Sequence, residues 1–307
     1  MFTKITTTAV LSTLAAQALA SSHGHRHVDR SNPTTLETVV SIPEPTLEPT
    51  PTPLPDLGNP LSVRQEPPFF AKRGLAYNDA NLANMFGDGC EACSWGYNWG
   101  SSRNGLDDKY NFVPMLWGDR PEFTGVWDLN VEEALNTGSK ALFSFNEPDH
   151  AEQANMDPVT AAFAHAFWMN KFQGRAQIGA PAITNSGQPG QGLEWLQGFM
   201  DACNGIAGGC AVDFCNVHWY SEAQWKDTLY EHIQAAHDIC GGRPIWVTEF
   251  APVNSDGEIF SFLESVLPEL DNMEMVHAYS YFMVSIGSLM SSDMDRSDFG
   301  NLYAGTL

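Results

Sequence analysis

Short apolar runs recur after residue 73, and polar or helix-forming sequence separates each run from the next. Most of them are nearly continuous in apolar residues, as in strands that are buried on both faces. The runs cover residues 74–78, 95–99, 112–118, 141–147, 177–183, 214–220, 244–250 and 275–282. The pattern therefore predicts the set of strands from which a closed parallel barrel is built.

Helical patterns lie between these runs, at residues 131–135, 158–172, 192–202, 223–239 and 258–270. Asp157 is a suitable N-cap for the second of them, and Pro158 fits its first helical position. The sequence after the last run leaves room only for a short final helix or none. Alternating strands and helices predict an α/β fold, and we expect a (β/α)₈ TIM barrel. A doubly wound parallel sheet is the alternative.

The first 70 residues differ in composition from the rest of the chain. Residues 1–20 combine Lys4, an apolar stretch and a small-x-small end, which is typical of a signal peptide. Residues 21–70 are rich in Pro, Thr and Ser, so we expect a disordered linker that cannot bury a core. We expect the folded domain at 71–307, with Lys72-Arg73 as either a processing site or the first turn into it.

Charge and cysteine content narrow the possible partners and the compartment. The net charge of −22 would repel nucleic acid, whereas a neutral polysaccharide is not repelled. The six cysteines can form three disulfides in an oxidising compartment, with the pairing left open. Zinc binding by Cys90 and Cys93 is a weaker alternative, because no second ligand pair completes it. We expect a secreted protein, extracellular or in a cell wall, with no membrane partner.

Two of the runs have a glutamate at or next to their last residue. Asn146 and Glu147 close the fourth run and precede Pro148, and Glu249 is the next-to-last residue of the seventh. The carboxyl ends of barrel strands meet at one face, so the two carboxylates are expected to lie across the barrel mouth from each other. Retaining glycosidases use two carboxyl groups about 5 to 5.5 Å apart. The sequence therefore indicates glycosidase chemistry, without a cofactor or a catalytic metal.

Four motifs, taken together and in their order along the chain, resemble those of glycoside hydrolase family 128. That family contains endo-β-1,3-glucanases and fungal alkali-sensitive linkage proteins. They are Val113-Pro-Met-Leu-Trp-Gly118, Phe145-Asn-Glu-Pro-Asp149, Val217-His-Trp-Tyr220 and Trp246-Val-Thr-Glu-Phe250. The resemblance covers the chain from about Arg73 onward. It implies internal cleavage of β-1,3-glucan with retention, with Glu147 as general acid/base and Glu249 as nucleophile. A monomer is the default expectation for a secreted barrel of this size.

Further residues are candidates for substrate binding. Asn146 can donate to a sugar 2-hydroxyl. His218 and Tyr220 alternate along the sixth strand, so both can face the barrel interior and hold Glu249. Trp117 is the better stacking platform, whereas Trp219 is expected to pack behind its strand. Other aromatic candidates at strand ends are Tyr97, Trp99, Tyr279 and Tyr281.

One part of the sequence departs from the family pattern. The resemblance predicts Arg-x-x-Trp-Phe in the eighth strand, where this chain reads His277-Ala-Tyr-Ser-Tyr281-Phe282. A tyrosine in place of tryptophan gives a smaller stacking surface, which puts the neighbouring subsite and the preferred substrate length in doubt. Asp149 is expected to cap the following helix rather than to bind substrate.

Two other functions fit the same barrel. A non-catalytic β-glucan-binding cell-wall protein could use the mouth as a groove, although binding alone needs no matched acid and nucleophile. A retaining glycosidase could also act on a different β-linked polysaccharide. The match of residues 87–92 to a dinucleotide fingerprint has no preceding strand, so a nucleotide cofactor is not expected.

Overall fold

The computed structural model describes residues 66–253 and 257–306. The residues expected to form the signal peptide, and all but the last five of the expected linker, lie outside this part. The described chain holds eight strands in the predicted places. They are β1 (Arg73–Ala76), β2 (Cys93–Tyr97), β3 (Asn111–Phe112), β4 (Ala141–Leu142), β5 (Gln177–Ile178), β6 (Cys215–Ser221), β7 (Ile245–Pro252) and β8 (Val276–Tyr281).

All strand pairs are parallel. Six strands pair in the order β3-β2-β1-β8-β7-β6, and β4 pairs with β5. Isolated parallel bridges, Met115 to Phe143 and Gly179 to Phe214, connect the segments after β3 and β4 and join β5 to β6. Each strand therefore neighbours the next one along the chain, and β8 returns to β1. The predicted α/β barrel is confirmed, and the doubly wound alternative is wrong.

Within the residues that the structure describes, seven α-helices surround the strands. They are α1 (Ala80–Gly87), α2 (Pro121–Asn136), α3 (Pro158–Met169), α4 (Gly192–Gly205), α5 (Asp227–Ile239), α6 (Ile259–Asn272) and α7 (Asp298–Ala304). Asp157 caps α3 as expected, because its side chain accepts from the amides of Val159 and Thr160. The final helix is short, also as expected.

The sequence pattern missed one helix and most of another. α1 was not predicted, because a helix of eight residues shows too few turns for a clear period. Only the last third of α2 was predicted, although Pro121 occupies its first turn. Its buried residues are Trp127, Val131 and Ala134, so only one of the three lies in the first two turns.

Aromatic rings fill the interior of the barrel below the mouth. Trp246 stacks on Phe214 at 4.0 Å between ring centroids, and Phe143 meets Trp246 edge to face at 5.6 Å. Phe69 precedes β1 in the segment expected to be linker, yet it is buried against Trp95 and Trp246. This packed floor gives the residues above it a rigid support.

The two basic residues at the domain boundary are held by the fold. The ammonium of Lys72 donates to the carbonyls of Leu270, Asp271 and Met273, at the end of α6. Arg73 pairs with Asp271 at 2.7 Å and donates to the Tyr303 carbonyl at 2.6 Å. These contacts favour the interpretation of Lys72-Arg73 as the first turn of the domain.

The six cysteines form three disulfides, which are Cys90–Cys93, Cys203–Cys210 and Cys215–Cys240. The third ties β6 to the end of α5, and the residues that it joins are 25 apart in sequence. Within the described ranges, no helix is long and apolar enough to cross a membrane.

We predict that the disulfides stabilise the fold unequally. The double substitution Cys215→Ala/Cys240→Ala should cost about 3 kcal/mol of unfolding free energy, because this disulfide closes the longest loop. Cys90→Ala/Cys93→Ala should cost roughly 1.5 kcal/mol, because its loop is short. All four cysteines are buried, so the pairs are matched for cavity effects. Urea unfolding measures both, and equal losses would contradict the prediction.

A second prediction concerns acid stability. His165 is completely buried between Ser144 and the Ala211 carbonyl, and burial lowers its pKa to about 4, although the Ala211 hydrogen bond opposes this. Between pH 6.5 and 4 the unfolded chain therefore binds a proton that the folded chain does not, so stability falls as the pH falls. The loss from His165 should reach about 3 kcal/mol.

The matched variant is His165→Gln. Urea unfolding at pH 7, 5.5 and 4.5 should show that this variant loses less stability over the acidic range than the parent protein does. An equal pH dependence in the two proteins would contradict the assignment.

Candidate active site

Glu147 is held at the mouth by the turn that follows β4. Its backbone has φ of 42°, in the left-handed region that a non-glycine residue rarely adopts. The amide of Glu147 donates to the Ala182 carbonyl at 2.8 Å, and its carbonyl accepts from the amide of His150 at 3.0 Å. Such strain persists where the surrounding structure enforces it, and it is frequent at functional sites.

Glu249 lies on β7, and its carboxylate is almost completely buried. The indole of Trp99 donates to Oε1 at 2.7 Å, and the hydroxyl of Tyr220 donates to Oε2 at 2.6 Å. The ladder between β7 and β8 shifts register between Val247 and Phe250, next to this residue. Both oxygens of Glu249 are therefore oriented by side chains from β6 and from the end of β2.

His218 connects the two glutamates. Its Nδ1 lies 2.8 Å from Glu147 Oε1, and its Nε2 lies 3.0 Å from Thr248 Oγ1 and 3.5 Å from Glu249 Oε1. One side-chain oxygen of each glutamate and one ring nitrogen of His218 all lie within 4.8 Å of one another. The two carboxylates thus face each other across a buried imidazole.

Burial and neighbouring charges shift the pKa values of Glu249, His218 and Tyr220. Burial raises the pKa of Glu249; the repulsion of Glu147 acts in the same direction, while His218 and the two hydrogen bonds oppose it. Burial lowers the pKa of His218, but the negative charges of Glu249 and Glu147 outweigh it, so the pKa is raised. Burial and the charge of Glu249 raise the pKa of Tyr220 well above its usual value, which keeps its hydroxyl a donor.

Glu147, His218 and Glu249 also have the composition of a metal-ligand set. However, Trp99 and Tyr220 already donate to Glu249, and Nε2 of His218 faces the hydroxyl of Thr248. Donors that already point at a carboxylate compete with a cation for the same lone pairs. The hydrogen bonding therefore favours an acid–base group.

The structure brings most of the predicted site residues to this mouth. Asn146 is buried beside Glu147, and its amide nitrogen donates to Gln153 at 3.3 Å. Its Oδ1 has no hydrogen-bond partner among the described residues. Trp117 follows β3 and is half-buried; it packs on Phe123 at 5.1 Å, and its carbonyl accepts from the Asn146 amide.

Tyr281 does not lie at the mouth with the other predicted site residues. Its ring is buried against Phe250, Phe299 and Tyr303, between β8 and the final helix. The alternation along β8 explains this placement, because Tyr281 shares the outward side of the strand with Tyr279. The next residue, Phe282, packs edge to face on both Trp99 and Tyr220. The prediction that Tyr281 binds substrate is therefore replaced by a structural role, and Phe282 is the aromatic residue that this strand supplies to the mouth.

Of the other aromatic candidates, some lie at the mouth and others pack away from it. Trp219 stacks on Phe262 behind its strand, as expected. Tyr97 lies below the mouth and donates to the Thr248 carbonyl at 3.0 Å, whereas Tyr279 donates to Asp271 outside the barrel. Trp99 was one candidate among several, and its hydrogen bond to Glu249 became visible only in the fold.

Asp149 has a structural role, although a different one from that expected. It is buried and accepts from Thr184 and from the Gly192 amide, at the start of α4. Asp157 caps the helix that follows Asp149 along the chain. Asp149 therefore links the Glu147 turn to the next strand and helix rather than capping α3.

The chain was compared with known proteins. The family described as "Glycosyl hydrolase catalytic core" matches residues 74–303. A curated relative, alkali-sensitive linkage protein 1 of Schizosaccharomyces pombe, is 30% identical over 255 residues, which are 76% of this chain and 44% of that protein. The chain thus spans less than half the length of this relative.

Two solved structures of glycoside hydrolase family 128 match this chain over almost the whole of their own length. A subgroup III curdlan-specific exo-β-1,3-glucanase from Blastomyces gilchristii has a TM-score of 0.70 and 39% identity, over 76% of this chain and 97% of that one. A subgroup I endo-β-1,3-glucanase from Amycolatopsis mediterranei has a TM-score of 0.64 and 26% identity, over 77% and 100%. The chain therefore belongs to the glycosyl hydrolase catalytic core family, and within it resembles the glycoside hydrolases of family 128.

Proposed function

We propose that this protein hydrolyses β-1,3-glucan with retention of configuration, with Glu147 as acid/base and Glu249 as nucleophile. The observation that supports this most directly is the separation of the two carboxylates, whose nearer oxygens lie within 4.8 Å. Retaining enzymes have about 5 to 5.5 Å between the two groups, whereas inverting enzymes need about 6.5 to 9.5 Å to admit a water molecule.

The surrounding residues suit the two steps of such a reaction. In the first step Glu147 protonates the leaving oxygen while Glu249 forms a bond to the anomeric carbon. Trp99 and Tyr220 hold Glu249 by both oxygens and favour its ionised form. In the second step Glu147 removes a proton from water, and the attack of that water breaks the bond to Glu249. His218 contacts both Glu147 and Glu249, so its imidazole can stabilise the negative charge on either carboxylate.

The substrate is proposed from the relatives. The Blastomyces enzyme is described as curdlan-specific, and the Amycolatopsis enzyme binds laminaritriose. The first is described as exo-acting and the second as endo-acting, so the endo mode expected from the sequence stays a prediction. Product analysis separates the modes: endo cleavage gives a range of oligosaccharides and a rapid loss of viscosity, and exo cleavage gives mainly short products.

The neutral mouth residues are proposed to bind the sugars. Asn146 has an oxygen without a partner and a long bond from its amide nitrogen, so both atoms can engage hydroxyl groups. Trp117 presents a half-exposed ring, with the Arg120 guanidinium 5.6 Å from its centroid. Sugar C–H groups stack on such rings. His218 and Tyr220 act through the two glutamates.

The protein is proposed to be secreted, with a signal peptide at 1–20, a linker at 21–70 and the catalytic domain at 71–307. Three disulfides are typical of an oxidising compartment. A place in or near a cell wall fits the proposed substrate, a β-1,3-glucan. A monomer remains the prediction for the oligomeric state.

An assay of sugar release and binding on several polysaccharides also distinguishes the two rival functions. A β-glucan-binding wall protein would bind curdlan without releasing sugar. A glycosidase for another polymer would act on cellulose, mannan or xylan rather than on curdlan or laminarin. The hydrogen-bonded carboxylate pair favours catalysis, because binding alone does not require a buried acid with a second acid beside it.

The central prediction concerns the two glutamates. Glu147→Gln and Glu249→Gln should each lower reducing-sugar release from laminarin by roughly a thousandfold or more, because each removes a group that acts in the transition state. Binding of curdlan should survive in both. Asp149→Asn offers a comparison, because this buried carboxylate accepts from Thr184 and from the Gly192 amide. Substantial turnover by both glutamine variants would contradict the proposal.

A further prediction concerns Trp99. Trp99→Phe keeps a ring and removes the donor to Glu249, so kcat should fall roughly 10- to 100-fold. The acidic limb of the pH profile should move to higher pH, because the ionised nucleophile loses a hydrogen bond. Trp219→Phe is the matched control, because its indole donates to Thr228 at 3.0 Å behind the strand. Equal effects of the two substitutions would contradict the assignment.

A further inference from the structure

A neutral polar pair lies directly below the carboxylates. Thr248 precedes Glu249 on β7, Asn216 lies on β6, and both are completely buried. Thr248 Oγ1 is 2.6 Å from Asn216 Oδ1 and 3.0 Å from His218 Nε2. The pair therefore continues the chain of contacts from the imidazole into the core.

The distances fix the direction of these hydrogen bonds. A separation of 2.6 Å is usual for O–H···O and short for N–H···O, so the amide oxygen of Asn216 faces Thr248. An amide oxygen only accepts, and the Thr248 hydroxyl must donate to it. The lone pairs of that hydroxyl are then left for His218, whose Nε2 must carry a proton.

A proton on Nε2 decides what happens at the other ring nitrogen. Nδ1 lies 2.8 Å from Glu147 Oε1, and that contact needs one proton. If the ring is neutral, Glu147 holds this proton and donates it to Nδ1. If the ring is a cation, Nδ1 donates to an ionised Glu147. In both states the exchangeable proton lies between His218 and Glu147.

We propose that Thr248 and Asn216 are positioning residues, which keep a proton on His218 Nε2 and thereby keep the exchangeable proton of the site beside Glu147. The proposal rests on the proposed role of Glu147 as acid/base. It explains how two similar glutamates are assigned different tasks: one shares a proton with the imidazole, and the other receives the donors Trp99 and Tyr220.

The other half of the Asn216 amide supports this interpretation. Its Nδ2 is buried and has no hydrogen-bond partner among the described residues. A buried donor without a partner costs about 1 to 3 kcal/mol, which an apolar residue of similar size would avoid. An asparagine at this position is therefore explained by its oxygen, which orients Thr248.

Charged neighbours act on the imidazole of His218 as well. The ionisable groups near His218 are Glu147 and Asp149 from the turn after β4, Glu249 from β7 and His232 from α5. They affect whether the ring is charged, and Glu147 at 2.8 Å from Nδ1 and Glu249 at 3.5 Å from Nε2 also attract a ring proton. Thr248 is neutral and is the nearer partner of Nε2, so its removal changes chiefly which nitrogen of the neutral ring carries the proton.

The first test measures this proton without any substrate. In full-length protein labelled with ¹⁵N-histidine, two-bond ¹H–¹⁵N correlation distinguishes a neutral ring with the proton on Nε2 from one with the proton on Nδ1. The parent protein and Thr248→Ser should show Nε2–H for His218. Thr248→Val has a similar shape but no acceptor, which leaves Nε2 only the more distant Glu249 oxygen at 3.5 Å, so its His218 should shift toward Nδ1–H. His218→Gln assigns the signals.

The second test is kinetic. Thr248→Val should lower kcat on laminarin by roughly tenfold or more, because proton transfer is impaired. KM should stay within about twofold, because Thr248 is completely buried and out of reach of the sugar. The alkaline limb of the pH profile should move to lower pH, because Nδ1–H favours ionised Glu147. Thr248→Ser should restore most of the rate.

Thr228 supplies a matched control. Its hydroxyl accepts from the Trp219 indole at 3.0 Å and donates to the Trp225 carbonyl at 2.7 Å, so it has the same two roles outside the site. Thr228→Val should leave the pH profile and the His218 tautomer unchanged. If it matches Thr248→Val in both, the effect is structural and the proposal is overturned.

The outcomes separate this proposal from the proposed function. An unchanged Nε2–H tautomer in folded Thr248→Val overturns the positioning role, whatever the activity. If the parent protein cleaves no glucan, the proposed function fails, while the tautomer measurement still decides the role of Thr248. A changed tautomer with an unmoved alkaline limb overturns the link to the acid.

Discussion

Two carboxylates within 4.8 Å of each other in a buried setting repel one another, and the site depends on how this repulsion is relieved. The imidazole of His218 does so by contacting both glutamates, while Trp99 and Tyr220 donate to Glu249 alone. On the proposed assignment, the negative charge lies on Glu249 and the shared proton lies beside Glu147. A retaining glycosidase needs this unequal distribution, because one carboxyl group must act as an acid while the other is a nucleophile.

The barrel supplies the geometry for this group. Parallel strands bring Glu147 and Glu249 to one face from β4 and β7, although about a hundred residues separate them along the chain. The left-handed backbone at Glu147 and the packed aromatic floor below β7 hold the two side chains in place. At Gly179 a side chain would lie 2.6 Å from the Phe214 ring, so glycine is required for this floor to pack. Packing in the core therefore contributes to the accuracy of the site above it.

The sequence was most informative where a local pattern carried the signal. All eight strands were predicted because buried parallel strands are continuous apolar runs, and both glutamates were found because each lies at or next to the end of such a run. The disulfide pairing, the hydrogen bond of Trp99 and the outward direction of Tyr281 were not predictable in this way. Each depends on which residues meet in space, and the direction of Tyr281 depends on the strand register at β8. Helix α1 was missed for a different reason, since eight residues give too little periodicity.

The stereochemistry of hydrolysis tests the account most directly. Proton NMR of a fresh reaction on reduced laminari-oligosaccharides, recorded before mutarotation, shows the anomer that forms first. Retention by Glu147 and Glu249 predicts the β-anomer. First formation of the α-anomer would show a single displacement by water, and would contradict the assignment of Glu249 as the nucleophile.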